Sequence, residues 1–196
     1  MITAQQVAQL RAQTGAGLMD AKKALTEAAG DLEKAHDILR TSGALKVAKK
    51  ADRLTAEGRI ETYLHTTGKT AVLVEVMCET DFVARNDQFL EFCHDLALHI
   101  TAFAPQFVTR AEVPANLVER EIAIVKEQLL AEGKPEAVQA GIITGKLDKF
   151  YKEIVLMEQS FVKDDSITIT DLLQAKITAI GENIKIGRMV RMQLGE

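Results

Sequence analysis

Few side chains in this 196-residue chain have the types and spacing for chemistry. The four histidines, His36, His65, His94 and His99, make no HExxH. His94 and His99 lie five apart on one predicted helix and face different ways. They are therefore expected to be a surface imidazole and a partly buried one, not two ligands of one metal. The two cysteines, Cys78 and Cys93, form no CxxC pair and sit in apolar segments, as buried thiols of a reducing compartment do. No GxxxxGKS/T, GxGxxG or GxSxG run is present; Gly15-Ala16-Gly17 lacks a third glycine and a preceding strand, and reads as a turn. Glu75, in a predicted central strand, is either a buried acid or a hydrogen-bonded or edge-facing one; with no partner visible in sequence, the second reading is preferred. Lys46, Lys49, Lys50 and Arg53 could neutralise phosphates, but they stand beside Asp52 and Glu57 in a chain of net charge −4 without Trp. A solvated linker fits them better than a nucleic-acid patch.

What remains is Cys78-Glu79-Thr80-Asp81-Phe82-Val83-Ala84-Arg85-Asn86. It follows the most hydrophobic alternating run and precedes the clearest amphipathic helix, so an acid and a large aromatic meet where a strand stops and a helix starts. Residue chemistry alone makes Thr80 or Asp81 an N-cap and Phe82 a hydrophobic staple. The same corner could instead hold a side chain rigidly outward, because both flanking elements are anchored in a core.

The elements that must position this corner follow from periodicity. Thr3 and Gln6 are spaced as a capping box, with Val7 and Leu10 beginning a helical stripe that ends at Thr14-Gly15-Ala16-Gly17. A second helix is predicted over 18–28, with Leu18, Ala21, Leu25 and Ala28 on one face. A third carries Leu32, Ala35, Ile38 and Leu39 and closes at Thr41-Ser42-Gly43. These make a small helical head, 1–43, joined by a basic helical linker, 44–57, to an α+β body, 58–196.

In the body, Ile60, Thr62 and Leu64 alternate with polar neighbours, Thr66-Thr67-Gly68-Lys69 is a hairpin turn, and Val72, Val74, Val76 and Cys78 share one face of a central strand. Leu73 and Met77 face the other way, so that side too is expected to be covered. Asn86 or Asp87 caps a helix with Phe89, Phe92 or Cys93, Leu96, Ile100 and Phe103 in its stripe. Thr109 and Glu112 form a second capping-box pair before a helix opening at Pro114. Gly133-Lys134-Pro135 separates that helix from a helical stretch over 136–156. A loop is predicted over 158–165, a short β-branched strand over 166–170 and a helix over 171–180. A last strand follows with Ile184, Ile186, Val190, Met192 and Leu194 on one face, interrupted by Arg188. The fold class is α+β: a roughly three-stranded antiparallel sheet packed with helices, carrying the three-helix head.

Composition narrows the function. At 47% hydrophobic and 27% charged residues, with no apolar run of membrane-spanning length, the chain reads as globular. Met1-Ile2-Thr3-Ala4-Gln5-Gln6 has neither a basic n-region nor an apolar h-region, so no signal peptide is expected and the cytoplasm is the expected location. With no catalytic grouping, a binding or regulatory protein that grips a partner at two places is the leading class.

Two stretches carry a family resemblance. Gly15-Ala16-Gly17-Leu18-Met19-Asp20-Ala21-Lys22-Lys23-Ala24-Leu25 resembles the first signature of the translation elongation factor Ts family, and Glu79-Thr80-Asp81-Phe82-Val83-Ala84-Arg85-Asn86 resembles the second. The likeness continues through Gly145-Lys146-Leu147, 158–165 and Ile180-Gly181-Glu182-Asn183-Ile184, over essentially the whole chain. It implies a ubiquitin-associated-like (UBA-like) head and a guanine-nucleotide exchange factor for elongation factor Tu, not an enzyme, with no cofactor and no direct contact with nucleic acid or membrane. It implies that Asp81, Phe82, Val83 and Ala84 form the exchange element, Phe82 wedging into the GTPase domain while Asp81 disturbs its magnesium.

In the head the resemblance points to Leu10, Leu18 and Met19 as partner contacts. Leu10 and Leu18 serve equally well as internal core, and Met19, outside the stripe, is the better contact. Long family members add a second core subdomain and a coiled coil, for which this chain is expected to have no room. Short members resemble a homodimer. Gly187-Arg188-Met189-Val190-Arg191-Met192 contains no cysteine, so the expected homodimer is non-covalent and uses the apolar last strand. Two other readings compete: an adaptor acting through the head alone, and RNA binding through Lys46, Lys49, Lys50 and Arg53.

Overall fold

The computed structural model describes residues 2–196, the side chain of Ala44 excepted. Met1, with which the expected head begins, lies outside the described residues. Thr3 opens the first helix with a complete capping box: its hydroxyl accepts from the Gln6 N–H, and the Gln6 side chain accepts from the Thr3 N–H at 2.9 Å. Helices α1 (Ala4–Thr14), α2 (Leu18–Glu27) and α3 (Leu32–Ala48) bury Val7, Leu10, Ala21, Ala24, Leu25 and Ala35 in one small core. The expected stop at Thr41-Ser42-Gly43 is not made. α3 continues to Ala48, so the first part of the expected linker is its last turns, and turns and extended chain follow. The continuation is possible because Gly43 lies against Thr178 of a later helix, where tertiary packing outweighs the low helix propensity of glycine.

The hairpin β1 (Glu57–Leu64) and β2 (Thr70–Cys78) and the last strand β5 (Ile184–Gln193) form an antiparallel sheet in the order β1-β2-β5. At Gly58 a side chain is impossible: φ is +143° and a Cβ would stand 2.2 Å from the Val76 carbonyl oxygen. Val72, Val74, Val76 and Cys78 meet Phe89, Phe92, Cys93, Leu96 and Ile100 of α5 (Asp87–Phe103), forming the main core with α8 (Ile169–Ile180). Each such large side chain contributes roughly 1.5–3 kcal/mol by leaving water.

Several expectations are corrected. The last strand does not keep one face: a bulge puts Gly187 and Arg188 opposite Glu75, so Ile184, Ile186 and Met189 face inward while Val190 and Met192 face out. Gly187 is required there, since a Cβ would lie 2.5 Å from a Glu75 carboxylate oxygen. Glu75 is the hydrogen-bonded acid of the second reading; Arg188 donates to it from its backbone N–H and guanidinium, which lowers its pKa. The second face of the sheet is not covered: Leu73 is 46% exposed, with Ile60, Leu64, Val190 and Met192 exposed around it.

Residues 158–165 are not a plain loop, because β3 (Ser160–Phe161) pairs with β4 (Asp164–Thr168). Thr109 and Glu112 close a single 3-10 turn rather than starting a helix. The two helices expected on either side of Gly133-Lys134-Pro135 are found as α6 (Ala115–Ala131) and α7 (Glu136–Ile154), and α7 runs unbroken through Gly141 and Gly145. At its root Arg110 pairs with Asp148 and Glu158 and lies over the Tyr151 ring.

Candidate functional site

The corner begins where β2 runs out at Cys78. Burial raises the Cys78 thiol to about 11, so it stays protonated and donates to the Thr80 carbonyl at 3.2 Å. Thr80 has extended backbone and caps the one-turn helix α4 (Asp81–Ala84), its hydroxyl accepting from the Val83 N–H. Asn86 ends that turn and caps α5, its side-chain oxygen accepting from the Gln88 N–H at 2.8 Å. Two N-caps six residues apart thus isolate one turn between a buried strand and a buried helix.

Within that turn the helical rotation separates the four residues. Val83 and Ala84 pack against the main core, whereas Phe82 is 83% exposed. The staple reading of Phe82 is therefore overturned: its ring holds nothing within the chain. Burial of a phenyl ring is worth roughly 1.5–3 kcal/mol, and the fold leaves this ring in water instead. Asp81 is half-exposed and lies 3.2 Å from Arg85, a surface pair of little net worth that a competing cation or partner can break.

The base of the corner is tied to the turn between α8 and β5. Glu182 accepts from the backbone N–H of Glu79 (3.1 Å) and of Thr80 (3.0 Å) and from the Thr80 hydroxyl (2.7 Å). In return the Glu79 carboxylate accepts from the Asn183 N–H at 2.6 Å and from Arg53 at 3.4 Å. Asn183 is buried and donates to the carbonyls of Ala51 and Arg53. Sequence reasoning passed over Glu182 and Asn183 as turn residues. The available signal was a glutamate and an asparagine, both able to satisfy backbone groups, directly before an apolar strand.

The basic cluster belongs to the same framework. Lys46 pairs with Asp20 at 2.8 Å, Lys50 donates to the Gly181 carbonyl at 2.6 Å, and Arg53 reaches Glu79. Burial lowers the Lys50 pKa. Three of the four cations thus fasten the chain to itself, which weakens the phosphate-binding reading.

In the head, Leu10 is 0% exposed and can touch no partner while the head stays folded. Leu18 and Met19, the first two residues of α2, are 56% and 74% exposed. Leu18 is thus outside the core stripe, which Ala21, Ala24, Leu25 and Ala28 make without it. Of the histidines, His94 is on the surface, and His99 is fully buried rather than partly so, its Nε2 paired with Gln159 Oε1 at 2.9 Å. Among the described residues no three His, Cys, Asp or Glu side chains group as metal ligands, and no helix is long and apolar enough to cross a membrane.

Comparison with known proteins gives one result over the full length. The model of the family described as elongation factor TS matches residues 3–196. The elongation factor Ts of Acetivibrio thermocellus is 52% identical over 196 residues, covering 100% of this chain and 91% of that protein. That of Fervidobacterium nodosum is 54% identical over 195 residues, covering 100% and 99%. That of Nitratidesulfovibrio vulgaris is 54% identical over 194 residues, covering 99% and 97%.

Proposed function

The chain belongs to the elongation factor Ts family of translation elongation factors, and we propose that it is a guanine-nucleotide exchange factor for elongation factor Tu. The observation that carries this reading is an 83% exposed phenylalanine on a one-turn helix tied down at both ends. Phe82 enters between helices of the GTPase domain, Val83 and Ala84 back it against the core, and Asp81 acts on the surroundings of the bound magnesium. Magnesium is held by few protein ligands besides phosphates and waters, so a small shift removes one. The diphosphate charge is then uncompensated and GDP leaves. Reciprocity requires that nucleotide weaken factor binding by the same ratio, so incoming GTP expels the factor. No bond is made or broken, and no cofactor enters.

Leu18 and Met19 on the UBA-like head give the second grip, and Leu10 supports them from within. Two grips on one partner raise affinity through effective concentration. The work takes place in the cytoplasm, without direct contact with nucleic acid or membrane. The uncovered sheet face, with Leu73 at its centre, supports a non-covalent homodimer that stacks two such faces.

The test of exchange is stopped-flow release of a fluorescent GDP from Tu. The protein accelerates it, and Phe82→Ala lowers the stimulated rate by about thirtyfold, as expected for an anchor residue. An unchanged rate in that variant would defeat the wedge.

A further inference from the structure

Glu79 and Glu182 commit two carboxylates to backbone and hydroxyl donors at the foot of the corner, although neither element they join needs them for its own end. α8 is already closed by Gly181 in a left-handed conformation, its N–H donating to Ile177. α4 already has its cap in Thr80. The bonds instead tie together segments 102 to 104 residues apart in the chain. They fix where the corner stands relative to the α8–β5 turn, not whether it forms.

The same turn also anchors the tether, because Asn183 holds the carbonyls of Ala51 and Arg53, and Lys50 holds the carbonyl of Gly181. The chain that leaves the head at the end of α3 is therefore held, at Lys50, Ala51 and Arg53, by the piece of backbone that braces Phe82. A wedge on a turn this short transmits force only if its foot cannot slide. Three donors converging on one carboxylate provide that stiffness, since charge-assisted bonds are shorter and stronger than neutral ones.

We propose that Glu182 is a positioning residue for exchange: by clamping the foot of the corner it holds Phe82 at the angle and depth that expel nucleotide. The inference rests on the exchange reading above and adds a residue to it. It separates binding from action, because the contact surface of Leu18, Met19 and Phe82 survives loss of the clamp while the direction of the push does not.

The experiment measures fluorescent GDP release from Tu against factor concentration. For Glu182→Ala the saturating rate falls about tenfold, the scale of a slightly misplaced group, while the half-saturating concentration moves less than about threefold. Glu182→Gln restores most of the rate, since its amide oxygen still accepts both N–H groups and the Thr80 hydroxyl can turn to accept. The double variant Glu182→Ala with Phe82→Ala is no slower than Phe82→Ala alone, because the clamp acts through the ring. Additive losses, or a wild-type saturating rate in Glu182→Ala, overturn the positioning role. Should the alanine variant fail to fold, Glu182→Asp, one methylene too short to meet all three donors, takes its place; it is expected to lose about threefold, and a wild-type rate overturns the proposal equally. If the unaltered protein does not accelerate release, or Phe82→Ala is as fast as wild type, the exchange reading itself falls. That outcome is distinct from a working wedge that ignores Glu182.

Discussion

Two regions expose large apolar side chains, and they are built in opposite ways. At the corner a single ring stands on one turn, braced from below by Glu79, Glu182 and Asn183. On the outer sheet face Ile60, Leu64, Leu73, Val190 and Met192 lie side by side on three strands, with the Glu75–Arg188 pair as a polar marker near the bulge. A lone ring offers too little area to bind by burial, so its value depends on where it is held. A flat face binds by area, so its residues share the load and need no individual brace. Exposure by itself therefore says little about role; the polar framework beneath it says more.

Substitutions should separate the two. The largest effect is expected from Leu73→Asp, which puts an unpaired carboxylate in the middle of the face on both copies. Sedimentation should show homodimer dissociation strengthened about a hundredfold or more; a monomer of wild-type protein at micromolar concentration would remove the dimer from the comparison. Next comes Phe82→Ala, with its thirtyfold loss of exchange, as proposed above. It should leave the melting temperature and the dimer mass unchanged, since the residue is 83% exposed; a clear drop in either would mean the corner is part of the core after all.

Smaller is the response of the thiols. Burial raises Cys78 to about 11 and Cys93 to about 12. A thiol reagent at pH 8 should therefore label neither in the folded protein and both on denaturation. Labelling of Cys78 alone would show that the corner lifts off the sheet and is not braced. Smallest is a pH effect in the core, at His99 near the end of α5. Burial holds the His99 pKa below its ordinary value, partly offset by Gln159, so the folded state refuses a proton that the unfolded state accepts. Its stabilising contribution is complete above about pH 6.5 and declines as pH falls below that value, by at most about 1.4 kcal/mol per pH unit. Denaturant melts of His99→Leu should lose that slope.

Much of the fold was legible because its signals are local. The α5 stripe, the β2 alternation and the Thr3 capping box each lie within a few residues, and each is found in place. The rest depended on distant partners. Nothing near Gly43 announces Thr178, so local sequence ends α3 too soon. Nothing near Arg188 announces that a bulge stands opposite Glu75, so alternation alone predicts one face for a last strand that has two in succession. The corner carries a local stop signal for the strand and a start signal for the helix, and it is both. Its brace is not legible in sequence because Glu182 stands about a hundred residues away, and periodicity does not report single polar contacts over that distance.

The unbroken α3 has a consequence for how such a molecule can change. Its 17 residues span about 25 Å, with Leu32 and Ala35 in the head's core and Gly43 against α8 of the body. Adding or removing one residue between these contacts turns the head by about 100° and shifts it by about 1.5 Å. The head's bearing thus comes in discrete steps, and no small adjustment is open to a length change there. In the non-helical stretch after Ala48 helical phase is not at stake, but a length change there displaces Lys50, Ala51 and Arg53 from the turn that holds them.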